Sequence, residues 1–444
     1  MRGLKESITS KKIAVLGAGT SGMAAVELLL SIGAPSIFVS DSGKIAEWKK
    51  DFFKRHGVEF EEMGHTNKVF GSELVILSPG INVHKPFIER IKQSGIPIMG
   101  ELELGFRFVK GGIIAVTGTN GKSTVVTMLS KMIENSTMAG NIGAPLSKFH
   151  GKRGVFVTEV SSFQLMSILD FRPKIALILN IDQDHLDWHK DLDEYIAAKA
   201  RIFENQKEDD FLILNYDDPI TRSLAKKTKS RVLFFSLKEE TDAFLKDGKL
   251  FIRADEGEVE LIHTDELALK GVHNIYNALA ASLAASIAGS KFERIREVLK
   301  TMTALPHRVE FVREINGIKF YEDSKATNPH AVKWALQSFK GNIILVLGGE
   351  EKYLDYTPLI PPISEKVKLL ILFGKNTPSL ERTFLGVVDI EKAQSMREVV
   401  EIALKRGEAG DIVLFSPGTS SFDMFKNYKE RGERFQDEVR RVEI

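Results

Sequence analysis

Short apolar runs alternate with glycine-containing turns and helix-like stretches along this chain, and this alternation constrains its fold more than any other feature. In the first segment the apolar runs 13–16, 37–39 and 74–77 end at Gly17, Asp41 and Ser78. Strands that alternate with helices are joined by crossover connections and therefore pair in parallel. The first segment predicts a parallel Rossmann-like sheet.

Two further segments repeat the alternation. Strand candidates in the second segment are the runs 113–116, 155–157, 174–181 and 211–214, with a small β excursion in 236–266 and an Ala-rich helix over 277–288. Strand candidates in the third segment are the runs 343–347, 369–373 and 412–415. At 444 residues the chain is longer than a single core usually supports. We therefore predict an α/β protein with a Rossmann-like N-terminal domain over 1-98, a central P-loop ATPase-type domain over 99-303 and a Rossmann-like C-terminal domain over 304-444.

Composition excludes several classes of function. The chain has no cysteine, which removes disulfides, thiolate zinc sites and cysteine nucleophiles, and leaves Mg²⁺ as the expected metal. Its 61 basic and 60 acidic side chains provide no overall positive field for nucleic acid, so a small-molecule substrate is expected. No apolar stretch approaches the roughly 20 residues of a membrane span, and the N-terminus does not resemble a signal peptide. We expect a cytoplasmic protein.

The strand candidate 113–116 leads into Thr117-Gly118-Thr119-Asn120-Gly121-Lys122-Ser123-Thr124 and then a helix-like run. Backbone N–H groups of such a loop hold phosphates, Lys122 neutralises their outer oxygens, and Ser123 or Thr124 reaches Mg²⁺. The general phosphate-loop pattern requires a glycine where this chain has Val116. The loop therefore predicts phosphate binding, although its spacing departs from the general motif.

The shortened loop resembles that of the Mur ligase and folylpolyglutamate synthetase superfamily. Three further motifs follow in that superfamily's order, namely G-N-I-G at 140–143, E-V-S-S-F-Q-L at 159–165 and D-H-L-D at 184–187. D-S-K-A-T-N at 323–328 and S-F-D-M-F-K-N at 421–427 are most similar to the branch that adds D-glutamate to UDP-N-acetylmuramoyl-L-alanine. The resemblance implies an ATP-dependent amide ligase of peptidoglycan precursor synthesis, which acts through an acyl phosphate. We also expect a monomer.

The resemblance also implies a metal centre. Glu159 and His185 each follow a predicted strand and would lie beside the phosphate loop at one sheet edge, with Ser123 as a further ligand. In the family a lysine at the position of Lys199 is carbamylated and helps to hold a second Mg²⁺. Taken without the family, the glutamate could start a helix, the histidine could be structural, and the lysine could lie on the surface. Asp182, Asp184, Asp187 and His189 are expected to support or cap this site rather than bind metal.

Other residues carry over to the nucleotide. The resemblance implies contacts with ATP by the loop residues Gly118 to Thr124 and by Asn274, Asn277, Arg308 and Asp323. Two amides three residues apart share one face of a helix and can present donor and acceptor to adenine together. Helix capping is the alternative for Asn274. The catalytic residues implied are Lys122, His185 and Lys199.

The remaining carried-over residues are expected to bind the substrates. Those for the UDP substrate are Thr20, Ser21, Ser42, Ser78, Asn141 and His185, and those for D-glutamate are Lys325, Thr327, Lys352, Ser421 and Phe422. The chain departs from the family pattern at Gly43, where some members have arginine, and at Glu322, where asparagine is usual. The second departure adds a carboxylate near the predicted acceptor pocket, so another acceptor such as D-lysine stays open.

The glycines of the first segment support a different function. Gly17, Gly19 and Gly22 form G-x-G-x-x-G after a strand, and Asp41 follows about 20 residues later, as in NAD-binding domains. An NAD(P)-dependent oxidoreductase is therefore one alternative, although it has no use for the second loop. A P-loop ATPase that couples hydrolysis to movement is another, and a folylpolyglutamate synthetase-like ligase a third.

Overall fold

The computed structural model describes residues 8–184, 188–254 and 257–443. Within these ranges no helix combines the length and apolarity that crossing a membrane requires. The chain divides into two compact units, one comprising 1–263 with 277–298 and the other 264–276 with 299–444. Of the three sheets in the described residues, two belong to the first unit and one to the second.

The first sheet is entirely parallel, with strand order β3-β2-β1-β4-β5. Its strands are β1 (Lys12–Leu16), β2 (Ser36–Ser40), β3 (Glu59–Glu61), β4 (Leu74–Leu77) and β5 (Ile98–Gly100). The helices of this part of the chain are α1 (Thr20–Ser31), α2 (Glu47–Arg55), α3 (Pro86–Gln93) and α4 (Glu101–Phe108). Strand β1 pairs with β2 on one side and with β4 on the other, so the strand order reverses beside β1. The turns after β1 and β4 therefore lie next to each other at this switch point.

The second sheet has strand order β14-β13-β12-β11-β10-β9-β6-β8-β7, antiparallel only among β12, β13 and β14. Its strands are β6 (Ile113–Thr117), β7 (Thr137–Gly140), β8 (Phe156–Glu159), β9 (Ile175–Ile178), β10 (Phe211–Asn215), β11 (Arg231–Ser236), β12 (Ala243–Lys246), β13 (Lys249–Ala254) and β14 (Gly257–His263). The next helices are α5 (Lys122–Met132), α6 (Ser162–Leu165), α7 (Leu192–Ala200), α8 (Pro219–Leu224), α9 (Val272–Ile287) and α10 (Phe292–Thr301). Because β8 and β9 flank β6, the segments after all three strands share one sheet edge.

The third sheet has strand order β15-β16-β20-β17-β18-β19, with only the β15–β16 pair antiparallel. Its strands are β15 (Glu310–Ile315), β16 (Ile318–Glu322), β17 (Ile343–Gly348), β18 (Val367–Phe373), β19 (Asp389–Ala393) and β20 (Ile412–Phe415). The helices around it are α11 (Pro329–Gln337), α12 (Ile360–Lys366), α13 (Thr377–Phe384), α14 (Met396–Arg406) and α15 (Tyr428–Arg441). The ends of β16, β20 and β17 lie side by side at the carboxyl edge.

The predicted strands are confirmed, with changed ends. The run 174–181 forms strand only over Ile175–Ile178, and the Ala-rich helix begins at Val272 rather than 277. Strands β4, β6, β8, β9 and β17 are buried along their whole length, as expected where helices cover both faces of a parallel sheet. The domain bounds 1-98, 99-303 and 304-444 stay predictions, and the first of them falls within β5.

Candidate active site

The loop after β6 is shaped by two glycines that no other residue can replace without strain. Gly118 and Gly121 have φ angles of 149° and 86°, in the region that L side chains rarely adopt. A Cβ atom at Gly121 would lie 2.4 Å from Oδ1 of Asn277 in α9. The helix α5 begins directly afterwards at Lys122. A tight turn that leads into a helix N-terminus, where unpaired N–H groups gather, is a favourable place for phosphate.

Asn180, two residues past the end of β9, holds this loop in place. Its carbonyl accepts from Thr119 N at 2.9 Å, and its Oδ1 accepts from Asn120 N at 2.8 Å. Its Nδ2 donates to the carbonyl of Asn120 at 3.1 Å. The residues after β6 and β9 are therefore tied together. The sequence reasoning missed Asn180, because nothing local distinguishes it from a turn residue.

Two lysines donate to a single carbonyl of the loop. Nζ of Lys122 and Nζ of Lys199 each lie 2.8 Å from the oxygen of Gly118, and Lys122 also donates to Thr119 O at 2.7 Å. Lys199 is only 2% exposed. Burial, followed by repulsion from Lys122, holds the pKa of Lys199 well below its usual range. The lysine predicted to be carbamylated therefore lies beside the phosphate loop with a weakened preference for the charged form.

Tyr195, one turn before Lys199 in α7, contacts both this lysine and the loop. Its ring lies 4.5 Å from the Lys199 ammonium, in the geometry of a cation–π contact. Its hydroxyl is 3.2 Å from Oγ1 of Thr119, and burial raises the pKa of Tyr195. Tyr195 was also missed from the sequence, where it has the helical spacing of an ordinary core residue.

Glu159 ends β8 at the same sheet edge and is 3% exposed. Its Oε1 accepts from Nδ2 of Asn141 at 2.9 Å, which joins the predicted metal ligand to a predicted substrate-binding residue. Ser123, in the first turn of α5, is 7% exposed. A carboxylate and a hydroxyl beside a phosphate loop are the hard oxygen donors that Mg²⁺ prefers, so these residues fit the predicted metal. The predicted ligand His185 lies outside the described residues.

The acidic segment around the predicted metal ligand His185 is only partly described. Asp187 lies outside the described residues. Asp182 donates its backbone N–H to Thr119 Oγ1 at 2.9 Å. Asp184 is 6% exposed, and its charge favours the protonated form of Lys199. Nε2 of His189 lies 2.9 Å from Oγ of Ser162, in the first turn of α6. These contacts suit the supporting roles expected for the segment.

The two asparagines expected at adenine occupy one helix. Asn277 is 6% exposed and lies against Gly121 of the loop, as the Cβ distance shows. Asn274 lies three residues earlier in α9, and its Nδ2 donates to the carbonyl of Lys270 at 2.8 Å. A capping asparagine accepts from backbone N–H groups, so this contact differs from the capping alternative.

The glycine-rich turn after β1 has different neighbours. Thr20 and Ser21 begin α1, and Ser42 is exposed in the segment after β2. Ser78, directly after β4, donates to the Gly17 carbonyl at 3.2 Å. Oδ2 of Asp41 accepts from Ala18 N at 2.5 Å and its Oδ1 from Gly43 N at 2.7 Å. The carboxylate that would hold the ribose of NAD thus holds the turn itself.

The residues expected at the acceptor follow three neighbouring strands of the third sheet. Lys325 and Thr327 come after β16, Lys352 after β17, and Ser421 and Phe422 after β20. The Lys325 ammonium lies 4.0 Å from the centre of the Tyr428 ring, at the start of α15. Phe422 is 68% exposed, whereas Ser421 is buried. One sheet edge therefore brings together residues separated by about a hundred positions.

Asp323, predicted at the nucleotide, is buried at that edge directly after β16. It accepts from Ser416 Oγ at 2.7 Å, and burial raises its pKa to about 7, against the opposing effects of Ser416 and of Arg308. Arg308, also predicted at the nucleotide, lies in the same compact unit as Asp323.

Arg431 of α15 links the segments that follow β16 and β20 at this edge. It was not predicted from the sequence. The side chain is 0% exposed, and it donates to Oγ and O of Ser324 at 2.8 and 2.9 Å. It also donates to the carbonyls of Thr419 and Ser420 at 3.0 and 3.2 Å. Its surrounding sequence Y-K-E-R-G-E-R is typical of an exposed helix, so no local signal marks it as buried.

Glu322 does not add a free carboxylate to the predicted pocket, which corrects the expectation from sequence. The side chain is 0% exposed and lies 2.6 Å from Nδ1 of His307. It also accepts from Ser324 N and from Gln436. With its oxygens engaged in the interior, the carboxylate supplies no reason to expect a basic acceptor.

Family models match three successive parts of the chain. The Mur ligase middle domain matches residues 116–285 and the MurD N-terminal domain residues 12–87. The model described as Mur ligase, glutamate ligase domain, matches residues 307–418.

Curated relatives match almost the full length. The UDP-N-acetylmuramoylalanine--D-glutamate ligase of Caldanaerobacter subterraneus subsp. tengcongensis is 40% identical over 97% of this chain and 98% of its own. The enzyme of that name from Aquifex aeolicus is 38% identical over 96% of this chain and 98% of its own.

Solved structures share the fold at much lower identity. A pseudomurein peptide ligase type C from Methanothermus fervidus superimposes with a TM-score of 0.64 at 21% identity, covering 97% of this chain and 100% of its own. The UDP-N-acetylmuramate-alanine ligase of Thermotoga maritima gives 0.60 at 18% identity, covering 97% and 99%. These similarities support the three-domain α/β architecture.

Proposed function

This chain belongs to the Mur ligase family, and we propose that it uses ATP to join D-glutamate to UDP-N-acetylmuramoyl-L-alanine. The observation that carries the proposal is the convergence of Lys122 and Lys199 on the Gly118 carbonyl. A nucleotide switch or motor needs the first lysine but has no use for a second, desolvated lysine beside it. A ligase that activates a carboxylate uses both.

In the proposed reaction, a carboxylate oxygen of the UDP substrate attacks the γ-phosphorus of ATP. The bond from that phosphorus to the bridging oxygen breaks, which gives an acyl phosphate and ADP. The neutral amine of D-glutamate then attacks the acyl carbon, loses a proton, and phosphate leaves as the amide forms. Lys122 stabilises the charge on the transferring phosphoryl group, since positioning and electrostatics supply most of the catalysis in such transfers.

The proposal includes Mg²⁺ held by Ser123, Glu159, His185 and a carbamylated Lys199. The metal would neutralise phosphate charge and so assist the transfer. The structure supports the carbamate chemically, because an amine must be neutral to react with carbon dioxide. Burial of Lys199 lowers its pKa in that direction. Once carbamylated, the side chain offers oxygen to a metal in place of a cation.

Recognition of the substrates is proposed at the two other sheets. Thr20, Ser21, Ser42 and Ser78, at the switch point of the first sheet, are proposed to hold the uridine diphosphate, because ligands of open parallel sheets bind there. The cations Lys325 and Lys352 are proposed to pair with the two carboxylates of D-glutamate. Arg308 and Asp323 remain proposed at the nucleotide.

The test is phosphate release with ATP, Mg²⁺ and UDP-N-acetylmuramoyl-L-alanine, measured against a panel of D- and L-amino acids. We expect release to require both the UDP substrate and D-glutamate, and mass spectrometry to find one added glutamyl residue. Release without an amino acid would indicate an ATPase instead. Turnover with D-lysine but not D-glutamate would keep the ligase and overturn the acceptor.

A further inference from the structure

A buried acid–base pair lies beneath the loop that carries Lys325. Glu322 is 0% exposed and His307 7% exposed, and Oε2 of the glutamate is 2.6 Å from Nδ1 of the histidine. His307 has a φ of 65°, an uncommon angle for a residue other than glycine, which persists only where surrounding contacts hold it. The proposed reaction assigns no role to this pair. Neither residue belongs to the motifs that indicated the ligase chemistry.

Both members of the pair bond to the backbone of the acceptor loop. Oε1 of Glu322 accepts from Ser324 N at 2.5 Å, and the carbonyl of His307 accepts from Lys325 N at 3.2 Å. The Tyr428 ring packs edge-on against His307, at 5.9 Å between centroids, and also faces the Lys325 ammonium. A shift of the pair would therefore move the Lys325 backbone and its aromatic support together.

Helix α15 packs closely against the pair at Gly432, where the absence of a side chain leaves room for it. A Cβ atom at Gly432 would lie 2.5 Å from His307 Nδ1 and 2.6 Å from Glu322 Oε1, so a larger residue there would displace the pair. One turn later, Nε2 of Gln436 donates to Glu322 Oε2 at 3.2 Å. The Glu322 carboxylate is thus bonded by the loop after β16, by His307 and by α15. Contacts from three separate segments fix its position.

We propose that Glu322, with His307, is a positioning residue for the amino-acid acceptor: the pair fixes the Lys325 backbone, and its loss weakens acceptor binding selectively. The inference rests on the proposed function in one respect, namely that Lys325 contacts the acceptor. It gives a role to the one position in the D-S-K-A-T-N region where this chain departs from the family's usual asparagine.

The pair also makes acceptor binding depend on pH. The charged groups that face His307 are Glu322 of β16, Glu310 of β15 and Glu433 of α15, and all three favour its protonated form. The hydrogen bond to Glu322, ahead of the opposing effect of burial, raises the pKa of His307. The charged pair is therefore intact below that raised pKa and is lost as the pH increases through it.

The test compares Glu322→Gln and Glu322→Asn with the control Glu314→Gln. Glu314 lies in the neighbouring strand β15, where it is exposed and pairs in register with Lys319 rather than with the acceptor loop. We expect KM for the acceptor to rise about tenfold in both Glu322 variants, as for a misplaced binding group, with KM for ATP and the UDP substrate within about twofold of wild type. The control should resemble wild type.

The pH profile supplies a readout that a merely structural role would not move. Between pH 6 and 9 the wild-type KM for the acceptor should rise as His307 loses its proton, and Glu322→Gln should lack this transition. Thermal melting of each variant shows whether it is folded. If Glu322→Gln does not fold, Glu322→Asn replaces it in the comparison. An unchanged acceptor KM, or an equal rise in KM for ATP, would overturn the proposal.

Failure of the proposed function would look different. If the wild-type enzyme used another amino acid, the assignment of D-glutamate would fail, yet the same comparison of variants would be run with that amino acid. A wild-type enzyme active with D-glutamate whose Glu322 variants bind it normally would contradict only the positioning role.

Discussion

The glycine-rich turn after β1 and the one after β6 occupy the same topological place in two parallel sheets, yet different side chains close around them. A carboxylate, Asp41, accepts from the first turn at Ala18 N. Two lysine side chains, Lys122 and Lys199, donate to the second at Gly118 O. Both turns precede a helix, and each contains glycines that tolerate no side chain.

The comparison separates what glycine spacing specifies from what charge specifies. The glycines allow a sharp turn and a close approach of backbone to ligand, whichever ligand that is. The charged groups select the kind of ligand, because lysines beside a helix N-terminus favour a triphosphate. Asp41, the acidic residue that the NAD-binding pattern would use, accepts one N–H group from the first turn, at Ala18, and one from its own segment, at Gly43, so the fingerprint alone does not establish NAD binding.

The largest expected effect distinguishes the two lysines of the second turn. Lys122→Ala and Lys199→Ala should each lower kcat by about 10³-fold, because each removes electrostatic support of the phosphoryl transfer. On the proposed carbamate, a short carboxylic acid such as acetate should partly restore Lys199→Ala by replacing the lost oxygen ligand, and should leave Lys122→Ala, which lacks a cation, inactive.

Phosphate release in the coupled assay measures both variants, with Lys131→Ala as control because this lysine is exposed in the same helix α5. Full activity of Lys199→Ala would exclude the carbamate. Equal rescue of both variants would show that acetate acts elsewhere.

The next effect concerns two glycines of the first turn. A Cβ atom at Gly22 would lie 1.8 Å from the Gly17 carbonyl oxygen, whereas one at Gly19 would meet nothing within 4 Å. Gly22→Ala should therefore lower the free energy of unfolding by about 3 kcal/mol, as overpacking does. Gly19→Ala should retain wild-type stability and raise only KM for the UDP substrate. Urea unfolding and steady-state kinetics check both, and a stable Gly22→Ala would mean that the turn relaxes.

A smaller effect tests the occupied carboxylate. In Asp41→Asn one of the two backbone N–H groups loses its acceptor, which should lower stability by about 1–2 kcal/mol. KM for the UDP substrate should rise while KM for ATP stays constant. Calorimetry should detect UDP binding to the wild type and no binding of NADH. Binding of NADH that the substitution abolishes would restore the dinucleotide interpretation.

The smallest effect comes from a site that touches neither turn. Glu101 of α4 is 1% exposed, its Oε1 accepts from Ser147, and its Oε2 has no hydrogen-bond partner among the described residues. Burial raises its pKa, so the folded state loses stability as the pH rises from the ordinary glutamate value through the raised one. Glu101→Gln should add about 1 kcal/mol at pH 8 and little at pH 4.

Its matched control is Glu103→Gln, two residues along the same helix. Oε2 of Glu103 accepts from three backbone N–H groups, those of Leu169, Asp170 and Phe171. This variant should therefore lose stability at pH 8. Unfolding curves at the two pH values distinguish the pair, and neither variant should change KM for ATP. A destabilised Glu101→Gln would show that its carboxylate is charged and supported.

Prediction from the sequence succeeded where the signal is local. The apolar runs identified strands in the middle of all three sheets, although not β11 or β16, because parallel strands buried on both faces consist almost wholly of apolar residues. Short edge strands such as β3 and β5 were missed, since three residues carry too little pattern. Lys199 and Glu322 show the limit at the site. Periodicity alone would place the first on the surface, and the second was expected to add a carboxylate near the acceptor pocket, whereas its oxygens are bonded in the interior.

The sequence by itself determined that the chain forms mainly parallel sheets, that a glycine-containing loop leads from β6 into a helix, and which superfamily it resembles. Only the tertiary structure decided that Asn180 and Tyr195 also contact that loop, and which charged side chains are buried, such as Arg431 and Glu322. The physical reason is that apolar alternation and turn chemistry act between neighbours in the chain. Burial and hydrogen bonding depend on which strands become adjacent, and strand order is a property of the folded sheet.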